Sequence, residues 1–141
     1  AAWIFAKNIM AGKPIPVFNN GEMQRDFTYI DDIVKGVVGC LDKPPVMENS
    51  PENENVSFQA AHRVYNIGNN NSEPLMRFIS VLEDALGRKA EIDFQPLQTG
   101  DVPETTADIT GTQREFGFEP KTTIDDGLPR LVDWYNDYYG S

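Results

Sequence analysis

Two hydrophobic periods alternate along this chain of 141 residues, and the alternation limits its possible folds. The clearest helical period is Leu75, Phe78, Ile79, Leu82 and Leu86, closed by Gly87. Residues 1–11 carry a helical stripe with Trp3, Ile4, Ile9 and Met10, stopped by Gly12. A third helix is predicted from Asp32 to about Asp42, with Ile33, Val37, Val38 and Leu41 on its apolar side and Asp31 as N-cap. Thr123 is the predicted cap of a last helix bearing Leu128, Leu131, Val132, Trp134 and Tyr135, and Asp108 the cap of a short one ending near Gly117.

Extended segments fall between these helices. Residues 15–18 form a short one whose Pro16 suits an edge or a strand start. Residues 25–30 alternate polar with apolar side chains and read as a strand. Residues 64–68 read as a buried strand, and residues 90–95 as a short one with Ile92 and Phe94 on one face. Asn19-Asn20-Gly21 is a turn whose residues tolerate positive φ. Residues 69–72 form another, from which Ser72 is expected to cap the Leu75 helix with Pro74 near its first turn. Strands mixed with helices predict an α/β or α+β fold, without internal repeats. Residues 43–63 break the rhythm with Pro44, Pro45, Pro51, Glu48, Glu52, Glu54 and several Asn, and read as an acidic surface loop.

Composition narrows the function. Lys and Arg total 12 against 22 Asp and Glu, a formal charge of −10, which argues against nucleic acid or an anionic membrane as partner. No apolar run approaches a membrane span, and residues 1–11 lack the basic flank and cleavage site of a signal peptide. One cysteine, Cys40, excludes an internal disulfide or a thiolate metal cluster, and reads as a small buried hydrophobe. One histidine, His62, leaves little for a His-based metal site or triad and has no assigned role. The chain starts without Met inside a helix-like stretch, which reads as a fragment.

Stand-alone catalytic motifs are missing from the sequence: no glycine-rich dinucleotide or P-loop signature, no Tyr-x-x-x-Lys, no G-x-S-x-G and no H-E-x-x-H. Arg25 is more informative. Its guanidinium fork matches phosphate oxygens, and the alternative is a salt bridge to Asp26, Asp31 or another carboxylate. In Gln98-Thr99-Gly100-Asp101, Gly100 permits a tight turn and Asp101 could accept two ribose hydroxyls, against the alternative of an ordinary surface turn. Phe18 could flank a flat ring or be plain core. Asp31 and Asp32 fit a helix cap better than a metal site. Trp134, Tyr135, Tyr138 and Tyr139 form an aromatic end, read as core packing with a frayed surface.

Residues 15–34, with their Arg-Asp-Phe-Thr-Tyr-Ile-Asp-Asp block at 25–32, resemble the sugar-nucleotide epimerases of the extended short-chain dehydrogenase/reductase family. Val64-Tyr65-Asn66-Ile67-Gly68-Asn69, Gly100-Asp101-Val102-Pro103-Glu104-Thr105 with Ala107-Asp108, and Gly117-Phe118 with Trp134-Tyr135 carry the resemblance further, over nearly all of the chain except residues 43–63.

That resemblance implies an α/β fold, the C-terminal substrate-binding part of a Rossmann-like enzyme lacking its N-terminal nucleotide-binding half. Residues 1–141 would then be the substrate-binding portion of an NAD-dependent nucleotide-sugar 4-epimerase. Arg25 would hold a UDP diphosphate, Pro16 and Phe18 would face the uracil, and Asp101 would contact the ribose. Gln98 matches a position where relatives acting on galactose carry an arginine; Gln cannot supply that charge, so more weight falls on Arg25. The family's Tyr-x-x-x-Lys and its NAD-binding glycines would lie upstream, leaving no catalytic or cofactor-binding residue in this chain and no hydride step it could perform unaided. The resemblance also implies a cytoplasmic homodimer serving polysaccharide biosynthesis. A sugar-nucleotide dehydratase or decarboxylase, or a non-catalytic UDP-sugar-binding module, are the alternatives.

Overall fold

The computed structural model describes residues 2–45 and 63–140. Most of the acidic loop, with His62, lies outside the described residues. The fold is α/β: helix α1 (Ala2–Met10), strand β1 (Ile15–Val17), a 3-10 turn (Asn19–Gly21), β2 (Gln24–Asp26), α2 (Ile30–Asp42), β3 (Ser72–Pro74), α3 (Leu75–Leu86), β4 (Ile92–Phe94), α4 (Thr110–Phe116) and α5 (Ile124–Tyr139).

The stripes of α1, α3 and α5 meet in one apolar core, whereas Val37, Val38 and Leu41 on the predicted apolar side of α2, and Trp3 and Ile4 of α1, are exposed. Phe5, Ala6 and Ile9 of α1, Ile15 and Val17 of β1, Leu75, Phe78, Ile79 and Leu82 of α3, and Ile124, Leu128 and Val132 of α5 are all buried in that core. Phe27 stacks on Phe78 with centroids 4.1 Å apart, tying the segment after β2 to α3. Side chains on β1 alternate: Ile15 and Val17 face the core, so Pro16 is left on the opposite face. β1 pairs in parallel with β4, Ile15 opposite Ile92, and β2 pairs antiparallel with β3, Arg25 opposite Glu73. The 19–21 turn takes the predicted positive φ, at +50° and +51° for the asparagines and +85° for Gly21. A Cβ on Gly21 would stand 2.8 Å from the Met76 sulfur and would have to push that side chain aside, so it is the positive φ that favours glycine there.

Several boundaries differ from the sequence reading. The predicted strand at 25–30 is paired only over Gln24–Asp26, and α2 begins one residue earlier than its expected cap, at Ile30. Tyr29 is its N-cap and makes no side-chain cap bond, so Asp31 is a first-turn acid and not the cap. Its charge still favours the positive helix end. Ser72 does not cap α3 either. It belongs to β3, its hydroxyl donates to the Thr105 carbonyl at 2.8 Å, and the Leu75 N–H donates to the Met23 carbonyl at 2.8 Å in place of a cap.

The segment 64–68 is not a strand, and Val64 is 86% exposed. A strand needs a partner strand for its backbone groups, and among the described residues none pairs with it. The Asn66 carbonyl accepts instead from the Thr112 hydroxyl at 2.6 Å, and its side chain donates to the Asp108 carbonyl at 3.0 Å. Cys40 is half-buried and lies outside the main core.

Other expectations hold, with one cap displaced. Thr123 is the N-cap of α5 and accepts from the Asp126 N–H at 3.3 Å, whereas Asp108 stands one residue before the N-cap of α4, Ile109, and accepts from the Thr110 N–H at 2.9 Å as an Asx turn leading into that helix. α3 and α4 end on Gly87 and Gly117, both in the left-handed region. In the aromatic end Tyr135 is buried, whereas Trp134, Tyr138 and Tyr139 are exposed.

Candidate functional site

A cleft of about 480 Å³ opens where α1, β1 and β2 meet the loop after β4. Pro16, Phe18, Arg25 and Asp101 line it, with Met23 and Phe27 among its apolar walls. Four of the five residues singled out from the sequence therefore converge on one space. The outward face of β1 supplies Pro16, and Phe18 follows one residue beyond the strand. β2 supplies Arg25. The turn in which the Asp101 N–H donates to the Gln98 carbonyl at 3.1 Å, with Gly100 at φ +94°, supplies Asp101. Gln98 is exposed and does not line the cleft; its carbonyl holds the turn.

Arg25 is half-buried and supplies the positive charge of this lining. Its Nη1 donates to the carbonyls of Gln24 at 2.8 Å and Pro103 at 3.1 Å, and Nη2 lies 3.9 Å from the Met23 sulfur. Among the described residues Arg25 makes no ion pair, so the salt bridge weighed from sequence is not formed. Carbonyls orient the guanidinium without neutralising it, which leaves its charge available to an anion in the cleft.

The neighbouring acids are engaged elsewhere. Asp26 accepts from the N–H groups of Asn69, Asn70 and Ala107 at 2.9, 3.0 and 2.9 Å. Asp32 is fully buried and accepts from the N–H groups of Lys121 and Thr122 at 3.1 and 2.9 Å, and from the Lys35 ammonium at 3.0 Å. Burial alone would raise its pKa, but the bonds from Thr122, Lys35 and Lys121 outweigh it and hold the carboxyl well below the usual range. Its oxygens are thus committed to the 121–122 backbone. Sequence reasoning missed both carboxylates as anchors, because donors 43 to 90 residues away leave no local signal. Outside the cleft, Glu115 accepts from both Arg63 and the Tyr65 hydroxyl, which fastens the 63–66 segment to α4.

A cleft with one unpaired guanidinium, an aromatic and proline flank, and a carboxylate on a hydrogen-bonded turn can hold an anionic group joined to a flat ring and to hydroxyls. The α/β arrangement around it is that of the extended short-chain dehydrogenase/reductase proteins. The chain belongs to the family described as GDP-mannose 4,6 dehydratase, whose model matches residues 3–131. It is 43% identical to the protein CapI of Staphylococcus aureus over 99% of this chain and 42% of that protein. It is 42% identical to UDP-glucuronate 4-epimerase 6 of Arabidopsis thaliana over 99% of this chain and 31% of the relative. The chain thus spans less than half the length of the curated relatives it matches. Among solved structures, the UDP-glucuronic acid 4-epimerase of Bacillus cereus in complex with UDP-glucuronic acid and NAD is similar with a TM-score of 0.80 and 28% identity, over 99% of this chain and 40% of that one. A dTDP-glucose 4,6-dehydratase of Bacillus anthracis in complex with NAD is similar with a TM-score of 0.74 and 25% identity, over 96% and 38%.

Proposed function

We propose that residues 1–141 are the C-terminal, UDP-sugar-binding portion of an NAD-dependent 4-epimerase that interconverts UDP-glucuronate and UDP-galacturonate. The observation that carries this reading is the convergence of Pro16, Phe18, Arg25 and Asp101 on one cleft around an unpaired guanidinium. Arg25 holds the diphosphate, Pro16 and Phe18 flank the uracil, and Asp101 accepts from the ribose hydroxyls. Gln98, in the turn that carries Asp101, leaves the diphosphate charge to Arg25. Similarity to UDP-glucuronate 4-epimerases of plants and bacteria supports the choice of sugar.

This chain's share of the chemistry is binding and orientation. Its own residues do not fit a dinucleotide: α2, α3, α4 and α5 are entered from Tyr29, Pro74, Ile109 and Thr123, without a glycine-rich turn to receive a pyrophosphate. NAD, bound by the remainder of the enzyme, would supply the hydride acceptor and donor for inversion at the sugar C4. The whole enzyme acts as a cytoplasmic homodimer, and its product feeds polysaccharide synthesis. Among the described residues no helix is long and apolar enough to cross a membrane.

The test is turnover by the full-length enzyme that carries this portion. UDP-glucuronate should yield UDP-galacturonate without change of mass, and absence of that product refutes the epimerase reading. The family match and the likeness to a dehydratase favour one second reading, a dehydratase that shares this cleft. Its product would have lost one water. A decarboxylase product would have lost carbon dioxide, and binding without turnover would mark a non-catalytic module.

A further inference from the structure

Asp26 sits beside Arg25 on β2, lines the same cleft, and has been given no part in binding. Its two oxygens are shared among three backbone donors. Oδ1 accepts from Asn69 N–H at 2.9 Å, and Oδ2 accepts from Asn70 N–H at 3.0 Å and Ala107 N–H at 2.9 Å. Ala107 closes the loop that begins at Asp101, so one carboxylate joins the strand of Arg25 to the loop of Asp101 and to the 69–70 turn.

The loop is also laced along β2. Gln24 N–H donates to the Pro103 carbonyl at 2.9 Å, Thr105 N–H to the Gln24 carbonyl at 3.2 Å, and Asp26 N–H to the Thr105 hydroxyl at 3.3 Å. The two backbone bonds to Gln24 join the loop to β2 alone, and the Thr105 hydroxyl adds a side-chain tie to the same strand. The Asp26 carboxylate adds what those bonds do not, because it ties β2 to the loop at Ala107 and to the 69–70 turn at once. The junction also has no slack: a Cβ on buried Gly68 would lie 2.3 Å from the Ala107 Cβ and 3.2 Å from Asp26 Oδ2.

We propose that Asp26 is a positioning residue for nucleotide binding, holding the 101–107 loop in the register that brings Asp101 into the cleft with Arg25. The proposal rests on the reading of the cleft as a UDP-sugar site. Asparagine cannot replace the carboxylate. Whichever way its amide is turned, the NH₂ faces at least one backbone donor, since Oδ1 and Oδ2 both accept from N–H groups.

The experiment is a double-mutant cycle in the full-length enzyme, with calorimetric binding of UDP and of 2′-deoxy-UDP. The wild type should favour UDP over 2′-deoxy-UDP. Asp26→Asn should weaken UDP binding about tenfold or more and erase most of that preference, because ribose recognition depends on where Asp101 stands. Combined with Asp101→Ala, it should add little beyond Asp101→Ala alone, since both remove the same contact. Gly68→Ala strains the same junction without changing its charge and should likewise reduce the preference; it serves if Asp26→Asn fails to fold. Losses that multiply in the double variant, or an undiminished preference in Asp26→Asn or Gly68→Ala, overturn the inference while leaving the UDP site in place. A wild-type enzyme that does not bind UDP overturns the site and this inference together.

Discussion

Replacing Asp32 tests how the second half of the chain is held to α2. The side chain has 0% exposure and accepts from the N–H groups of Lys121 and Thr122, which lead into α5, and from Lys35. Asp32→Ala orphans two backbone donors at about 1–3 kcal/mol each, partly offset because a buried charge is also removed, so the net loss should be about 2–4 kcal/mol. Lys35 is 65% exposed and returns to water, adding little. Asp32→Asn can turn its oxygen toward both N–H groups and lose only the ammonium contact, and should cost about 1 kcal/mol. Acid adds a second readout. Hydrogen bonding depresses the Asp32 pKa, so its contribution is present above the unfolded carboxyl pKa of about 4 and fades as pH falls below it toward the folded value. Urea unfolding followed by circular dichroism at neutral pH and near pH 3 should therefore show Ala far below Asn below wild type at neutral pH, with the gap between Asn and wild type closing in acid. Equal midpoints for Ala and Asn, or a gap that widens in acid, would refute the reasoning.

Thr123→Ala removes the acceptor for the Asp126 N–H and should lower stability by about 1 kcal/mol in the same urea assay. Leu82→Ala empties a site with 0% exposure between α3 and the core and should cost about 2–5 kcal/mol, read as a lowered unfolding midpoint. The 141-residue chain incubated alone with NAD and UDP-glucuronate should form no UDP-galacturonate by chromatography; measurable product would place catalytic groups within it.

The helices were legible from their apolar periods, although the apolar side predicted for α2 is largely exposed at Val37, Val38 and Leu41. The α3 stripe from Leu75 to Leu82 is the buried stripe, and Gly87 ends it as expected. Thr123 was legible as a cap because a cap bonds within three residues of itself. Residues 64–68 were not, because an apolar run specifies a strand only where a partner strand meets it. Ser72 failed as a cap because a distant carbonyl, that of Met23, satisfies the first N–H of α3, and Asp31 because α2 begins before it, at Ile30. In the cleft, residue type singled out Arg25, Phe18 and Asp101 as candidates, and the fold brings them to one space. The buried carboxylates Asp26 and Asp32 did not, since nothing local distinguishes an acid that holds backbone N–H groups across the fold from one that faces water.

The most direct measurement of the central claim is calorimetric binding of UDP to the full-length enzyme and its Arg25→Ala variant. Arg25 offers an unpaired, carbonyl-oriented guanidinium to the cleft, so the wild type should bind UDP and the variant should lose about 2–4 kcal/mol of binding free energy, roughly 30- to 1,000-fold in Kd. Equal UDP affinity in the two proteins would contradict the assignment of this cleft.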